Sequence, residues 1–198
     1  LGSNIMLVFP GSQTASGVRM GAQTGQNLTE DDAIAIAREV PEVQVAAATN
    51  RSAAQMVYGN TNWSTSIFGI NNDYLEARDW PLVVGRTFEA AEMARSGKVA
   101  IIGQTVMKQL FGDSAQPIDV LDQSVRIRKI PVIIIGVLEK KGQNSFGQDQ
   151  DDVAMVPIST LRNRISGQSA GRLKRIGSIS VKVREGMSMK SAEDNIKE

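Results

Sequence analysis

The chain has 198 residues, 41% of them hydrophobic, with 22 Lys and Arg against 21 Asp and Glu. A net charge of +1 gives no global field that would gather nucleic acid or an anionic membrane. With no Cys and no His, it lacks the common zinc ligands, a thiolate nucleophile, a disulfide framework and the commonest general base.

In chain order, Asn4 to Pro10 predicts a first strand, and residues 11–27 a polar loop rich in Gly, Ser and Gln. The segment "LTEDDAIAIAREVPEV" predicts a helix. Thr29 is its N-cap, Asp32 completes a capping box, Ala33, Ile36, Ala37 and Val40 share a face, and Pro41 ends it. Residues 43–58 and 61–70, rich in Val, Tyr, Trp, Thr and Ile, predict two strands about a "GNTN" turn. Next, "NNDYLEARDWPLVVGRTF" predicts a short helix closed at Trp80-Pro81, "KVAIIG" a strand, and "QTVMKQLFG" a helix with Gly112 just past its end. The run "SVRIRKIPVIIIGVLE" predicts two adjacent strands broken at Pro131. After it, "VAMVP" reads as a strand, "STLRNRISG" as a helix capped by Ser159 or Thr160, and "SISVKV" as a strand. Ser188 opens a last helix.

The order β-α-β-β, mirrored near the C-terminus, predicts an α+β fold with a small sandwich built from both chain ends. Residues 1–70 and 151–198 form that part, and residues 71–150 form an insertion with its own apolar content. The longest apolar run, "IPVIIIGVL", is of strand length, well short of the roughly 18 residues that span a membrane. The N-terminus has no basic leader and the C-terminus stops inside a predicted helix, so both ends read as cut from a longer chain.

One stretch looks chemical: "KGQNSFGQDQDD", residues 141–152, with three carboxylates beside amides and glycines. A calcium loop of the EF-hand kind started at Asp149 fails, because the alternating ligands and central Gly are missing and Thr160 stands where Glu is needed. No P-loop occurs, since the only Gly-Lys pair precedes Val99. Ser145 has no His to activate it. The acids Asp73, Glu76 and Asp79 gather around Tyr74 and Trp80 as a sugar site would, yet a capped helix with aromatics turned to the core explains them more simply. The basic stretch "GRLKRIGSISVKVRE" lacks the interleaved aromatics of a nucleic-acid site, and Lys182 and Arg184 predict the wet face of a strand. The residues thus give no catalytic, cofactor-binding or metal site, and a binding or force-transmitting module is expected.

Four segments together carry a family resemblance: "LGSNIMLVFPG", "IFGINNDYLEARDWPLVVGRTF", "VAIIGQTVMKQLFG" and "IGVLEKKGQNSFGQDQDDVAMVPISTLRNRISG". In this order the chain resembles the periplasmic core domain of MacB-type ABC transporter permeases over nearly its whole length. It departs at "GDSAQPIDVLDQSVRI", where the family's turn is shorter and contains a glycine. The resemblance implies a porter-like subdomain from the chain ends and an inserted, mainly β, Sabre-like subdomain. It further implies a non-catalytic domain, with ATP and Mg handled by a separate cytoplasmic nucleotide-binding domain of the full-length protein.

The implied partners are a MacA-like periplasmic adaptor, through it a TolC-like outer-membrane channel, and a second copy in the full-length homodimer, whereas the isolated domain is expected to be a monomer. The implied work is expulsion of macrolides, peptides or lipid-like molecules. Gly142, Gln143, Gln150, Asp151 and Asp152 are then expected as partner-contact or hinge residues. The alternatives are a lipoprotein-releasing or cell-division-type permease, and a carbohydrate-binding or hydrolytic domain.

Overall fold

The computed structural model describes residues 4–9, 14–15, 18–19, 28–165 and 176–197. Its strands are β1 (Ile5–Val8), β2 (Thr14–Ala15), β3 (Val18–Arg19), β4 (Val43–Tyr58), β5 (Thr61–Ile70), β6 (Leu82–Gly85), β7 (Val99–Ile102), β8 (Ser124–Ile127), β9 (Ile130–Leu138), β10 (Val153–Pro157) and β11 (Ser178–Val183). Its helices are α1 (Glu30–Glu39), α2 (Asp73–Ala77), α3 (Ala90–Ala94), α4 (Gln104–Phe111), α5 (Pro117–Val120), α6 (Ile158–Thr160), which runs on into a π turn (Leu161–Ile165), and α7 (Met189–Lys197). No described helix is long and apolar enough to cross a membrane.

Apart from the small β2–β3 pair, the strands form one nine-stranded sheet, ordered β1-β11-β4-β5-β10-β7-β9-β6, with β8 between β4 and β9. This pairing closes on itself. β4 pairs with β5, β5 with β10, β10 with β7, β7 with β9, β9 with β8, and β8 returns to β4. The outcome is a six-stranded barrel with an open flank, β1-β11, on the first half of β4. Strands β4, β5 and β10 supply half of the ring, and β7, β9 and β8 the other half.

All six strands contribute to the barrel interior, among them Met56, Ile67, Ile102, Ile127, Ile134 and Val156. Period-two alternation explains why β7 and β10 read as unbroken apolar runs. Ala100, Ile102, Ala154 and Val156 face the interior, while Val99, Ile101, Val153 and Met155 face a second core under Tyr74, Trp80 and Phe88. A third core, beneath α1 and α7, holds Ala33, Val40, Ile179, Val181 and Ala192.

Several local expectations hold. Strands β4 and β5 have the expected limits, and Thr29 and Asp32 form the capping box of α1. Gly112 closes α4 with φ 102°, a conformation natural only to glycine. The long turn at residues 113–124 folds as α5 with Pro117 in its first turn, and Asp122 takes the left-handed conformation, φ 66°, that a glycine would take freely.

Others are corrected. Ala37 is exposed, at the margin of the α1 stripe that Ala33, Ile36 and Val40 bury. The break between β8 and β9 falls at Arg128-Lys129, with Arg128 at φ 57°, and Pro131 lies inside β9 opposite Arg126. Proline is tolerated there because β7 begins only opposite Ile133, whose N–H bonds to Lys98, so the missing donor faces no strand. The helix expected at residues 159–167 forms but starts at Ile158 and winds on as a π turn. Neither Ser159 nor Thr160 caps it, because Ser159 donates to Met93 O and Thr160 to Gly97 O, while Asn163 donates to Ser96 Oγ and Arg164 to Ser96 O. Pro10 and most of the polar loop at 11–27 lie outside the described residues, as does the end of that helix.

Two measurements test this packing. Met56 is fully buried in the barrel, and Met56→Ala should cost about 2–5 kcal/mol in chemical denaturation. At α3, Glu92 closes a capping box and bonds Arg86 at 2.7 Å, and that hydrogen bond, foremost, holds its carboxyl below the ordinary value against partial burial. An acid lowered in the folded state adds stability above its unfolded pKa and loses it as pH falls through the folded value. Arg86→Gln should therefore cost up to about 1 kcal/mol at neutral pH, for a pair this exposed, and the gap from the parent should vanish in acid.

Candidate functional site

The acidic connection from Glu139 to Asp152 joins β9 to β10, and each of its three aspartates has an internal partner. The Asp151 side chain, 2% exposed, accepts from the backbone N–H of Lys141 and of Gly142, both at 2.8 Å. Its carbonyl accepts from Thr105 N at the start of α4. A Cβ on Gly103 would lie 2.1 Å from that carbonyl oxygen, so only glycine lets the connection close on the helix. Asp149 accepts from the Thr105 hydroxyl at 2.6 Å and from Asp151 N at 2.9 Å. Asp152 Oδ1 accepts from Trp63 Nε1 at 2.8 Å and the Thr65 hydroxyl at 2.7 Å, which ties it to β5.

Beyond these staples the chain turns outward. Gln143 bridges Asp149, and Gln150 N donates to Gly142 O. Asn144 Oδ1 accepts from Phe146 N and Gln148 N, so a small hydrogen-bonded turn presents Phe146, 86% exposed. Of the five residues singled out in the sequence, Gln143 is exposed, and Gly142 (φ 79°), Gln150 and Asp152 are half-buried. Asp151 lies in the interior. Ser145 sits on the exposed tip. The carboxylates point to three different partners rather than to one point, and no group of three possible metal ligands occurs among the described residues.

The second candidate cluster is organised from below. Tyr74 and Trp80 are each 5% exposed. Trp80 Nε1 donates to Glu139 O at 2.7 Å, and Lys141 Nζ lies 4.8 Å from the centre of its ring while donating to Arg78 O. Burial, then the neighbouring Arg78, pushes the Lys141 ammonium below the ordinary lysine value. Glu76 accepts from Gln44 and Asp79 pairs with Lys182, so these acids serve the surface beside an open groove lined by Leu75, Pro81 and Leu82. A buried Trp80 offers no aromatic platform for a sugar, which removes the support for the carbohydrate reading. Lys182 is half-buried in its ion pair rather than fully wet, and Arg184 reaches back to Pro41 O.

Residue spacing did not reveal Trp63, Thr65 and Thr105 as the partners of the acidic connection. They lie 89, 87 and 44 residues from the carboxylates they meet.

A profile of the MacB-like periplasmic core domain family matches residues 1–198. The chain is 33% identical over 176 residues to a macrolide export ATP-binding/permease protein MacB of Syntrophobacter fumaroxidans, covering 88% of this chain and 24% of that one. It is 38% identical over 168 residues to the protein of the same name from Chlorobaculum tepidum, covering 85% and 25%. The chain thus spans about a quarter of the length of these relatives.

Among solved structures, the periplasmic region of MacB from Actinobacillus actinomycetemcomitans superposes with TM-score 0.73 at 26% identity, over 98% of this chain and 81% of that one. The extracellular domain of the noncanonic ABC-type transporter YknZ from Gram-positive bacteria shares the fold, with TM-score 0.63 at 21% identity over 84% and 78%. With fold and sequence in agreement, the chain belongs to the MacB-like periplasmic core domain family and is a periplasmic domain of a MacB-type ABC transporter permease of the inner membrane.

Proposed function

We propose that this domain is non-catalytic and works as a stiff body that docks a periplasmic adaptor and carries motion generated by ATP hydrolysis in a separate cytoplasmic domain. The observation that carries this reading is the common interior of the barrel. Residues from both halves of the ring bury one another, so displacing one half drags the other. The stapled connection adds to this stiffness, because Asp149 and the Asp151 carbonyl fasten it to α4 and Asp152 fastens it to β5, while the Asp151 carboxylate ties its two ends together. Acids held in this way are structural groups, with their lone pairs occupied by protein donors.

On this reading the division into a porter-like part (1–70 and 151–198) and a Sabre-like part (71–150) follows the two halves of the ring. The adaptor is of the MacA kind and leads to a TolC-like channel. The full-length protein works as a homodimer and expels macrolides, peptides or lipid-like molecules. Partner contact in the connection falls to its outward tip, Gln143 to Gln148, while Gly142, Gln150, Asp151 and Asp152 set the tip's angle. A lipoprotein-releasing or cell-division-type permease would use the same stiffness and differ in what the tip meets.

In the full-length protein, residues 143–148 replaced by Gly and Ser should weaken adaptor pull-down and lower macrolide resistance of the cells. Unchanged capture together with unchanged resistance overturns the docking role. In the 198-residue chain, Asp151→Asn turns an amide N–H₂ toward one of the two donating N–H groups, leaving it unpaired. It should cost about 2–3 kcal/mol in denaturant unfolding, whereas Gln143→Ala on the tip should cost less than about 0.5.

A further inference from the structure

The barrel's two halves meet along two seams of equal length and unequal support. β10 pairs with β7 through Ala154 opposite Ile102 and Met155 opposite Ile101. β4 pairs with β8 through Met56 opposite Ile127 and Val57 opposite Arg126. The first seam is extended by Gly103 N donating to Val153 O, by Thr105 N donating to Asp151 O, and by the Thr105 hydroxyl on Asp149. The second seam has one residue at its end, Arg128. Its N–H donates to Gln55 O at 2.9 Å. Its guanidinium donates to Ala53 O at 3.3 Å and Ser52 Oγ at 3.4 Å on β4, and to Ile165 O at 2.9 Å at the end of the π turn.

Arg128 also occupies the left-handed backbone region, φ 57°, in the β8–β9 turn. Glycine fits that conformation best, and asparagine next. An arginine there is strained, and strain at one residue persists where the surroundings hold it. Here the surroundings are three elements that one side chain joins: the turn, β4 and the π turn. We propose that Arg128 is the latch of the barrel, and that the β4–β8 seam is the line along which the closed ring opens first when the latch lets go. This holds whether or not the full-length protein docks an adaptor, because it concerns the isolated domain.

The discriminating variant is Arg128→Gly, since it relieves the backbone while removing the guanidinium. A turn residue without a latching role would make this change neutral or stabilising. A latch makes it locally destabilising. By hydrogen exchange with mass spectrometry on the 198-residue chain, segments 52–58 and 124–129 should exchange about tenfold faster or more, as loss of hydrogen bonds from a charged donor implies. Segments 99–105 and 151–157, at the other seam, should keep their parent rates. Arg128→Lys keeps the charge and loses the fork of donors, so it should show the same local pattern more weakly, and it carries the test if the glycine variant does not fold. Slower or unchanged exchange at 52–58 and 124–129 overturns the proposal, and so does an equal rise at both seams.

Discussion

Closure of the sheet into a ring is the constraint on which the rest of this structure depends. A closed ring of strands leaves no unpaired backbone edge within it, and it forces every interior position to be filled by side chains. The interior is made from both halves of the ring, so each supplies part of a surface the other needs. Met56 and Ile67 cannot be buried without Ile127 and Ile134, and the reverse holds equally. Local features that look unrelated follow from this requirement. Gly103 is free of a side chain so that the returning chain can reach β10, and Gly69 so that Leu161 can settle against β5, with a Cβ there only 2.8 Å from that of Leu161. Two layers of helix, α1 with α7 on one side and α2 on the other, then cover what the ring and its flank leave apolar.

This requirement also explains what the acids, amides and glycines of the β9–β10 connection are bonded to. A chain leaving β9 and entering β10 has backbone donors at its corners that strand pairing does not satisfy. Carboxylates are compact acceptors with several lone pairs, and Asp151 places both oxygens on two successive N–H groups. The same residue type that would coordinate a cation is here a fastener.

Much of the local structure was legible in the sequence because local forces decide it. Thr29 with Asp32 names the start of a helix, Gly112 names the end of another, and β-branched and aromatic runs delimit β4 and β5. What could not be read is what distant packing decides. Pro131 attracted the strand break as the residue least suited to a ladder, yet an unpaired position beside β7 accommodated it and the turn moved to Arg128. The π turn after Thr160 depends on Ser96 and Gly97, more than sixty residues earlier. The acidic connection showed the right residue types, and only the fold could say that their partners were a tryptophan and two threonines on other elements.

The 16 residues of β4, at about 3.3 Å each, make an unbroken beam of about 50 Å. Its first half is bonded to the open flank through β11 and its end to the barrel through β8, with β5 alongside it from Thr49 to Tyr58. Between flank and barrel lies a single ladder, β11 on β4, and from there the connection runs along covalent backbone. With β11 along its first part and β5 along the rest, β4 is backed by a neighbour at every stage and resists bending better than a lone strand would. In this molecule the reach from flank to barrel is set by the length of a single strand.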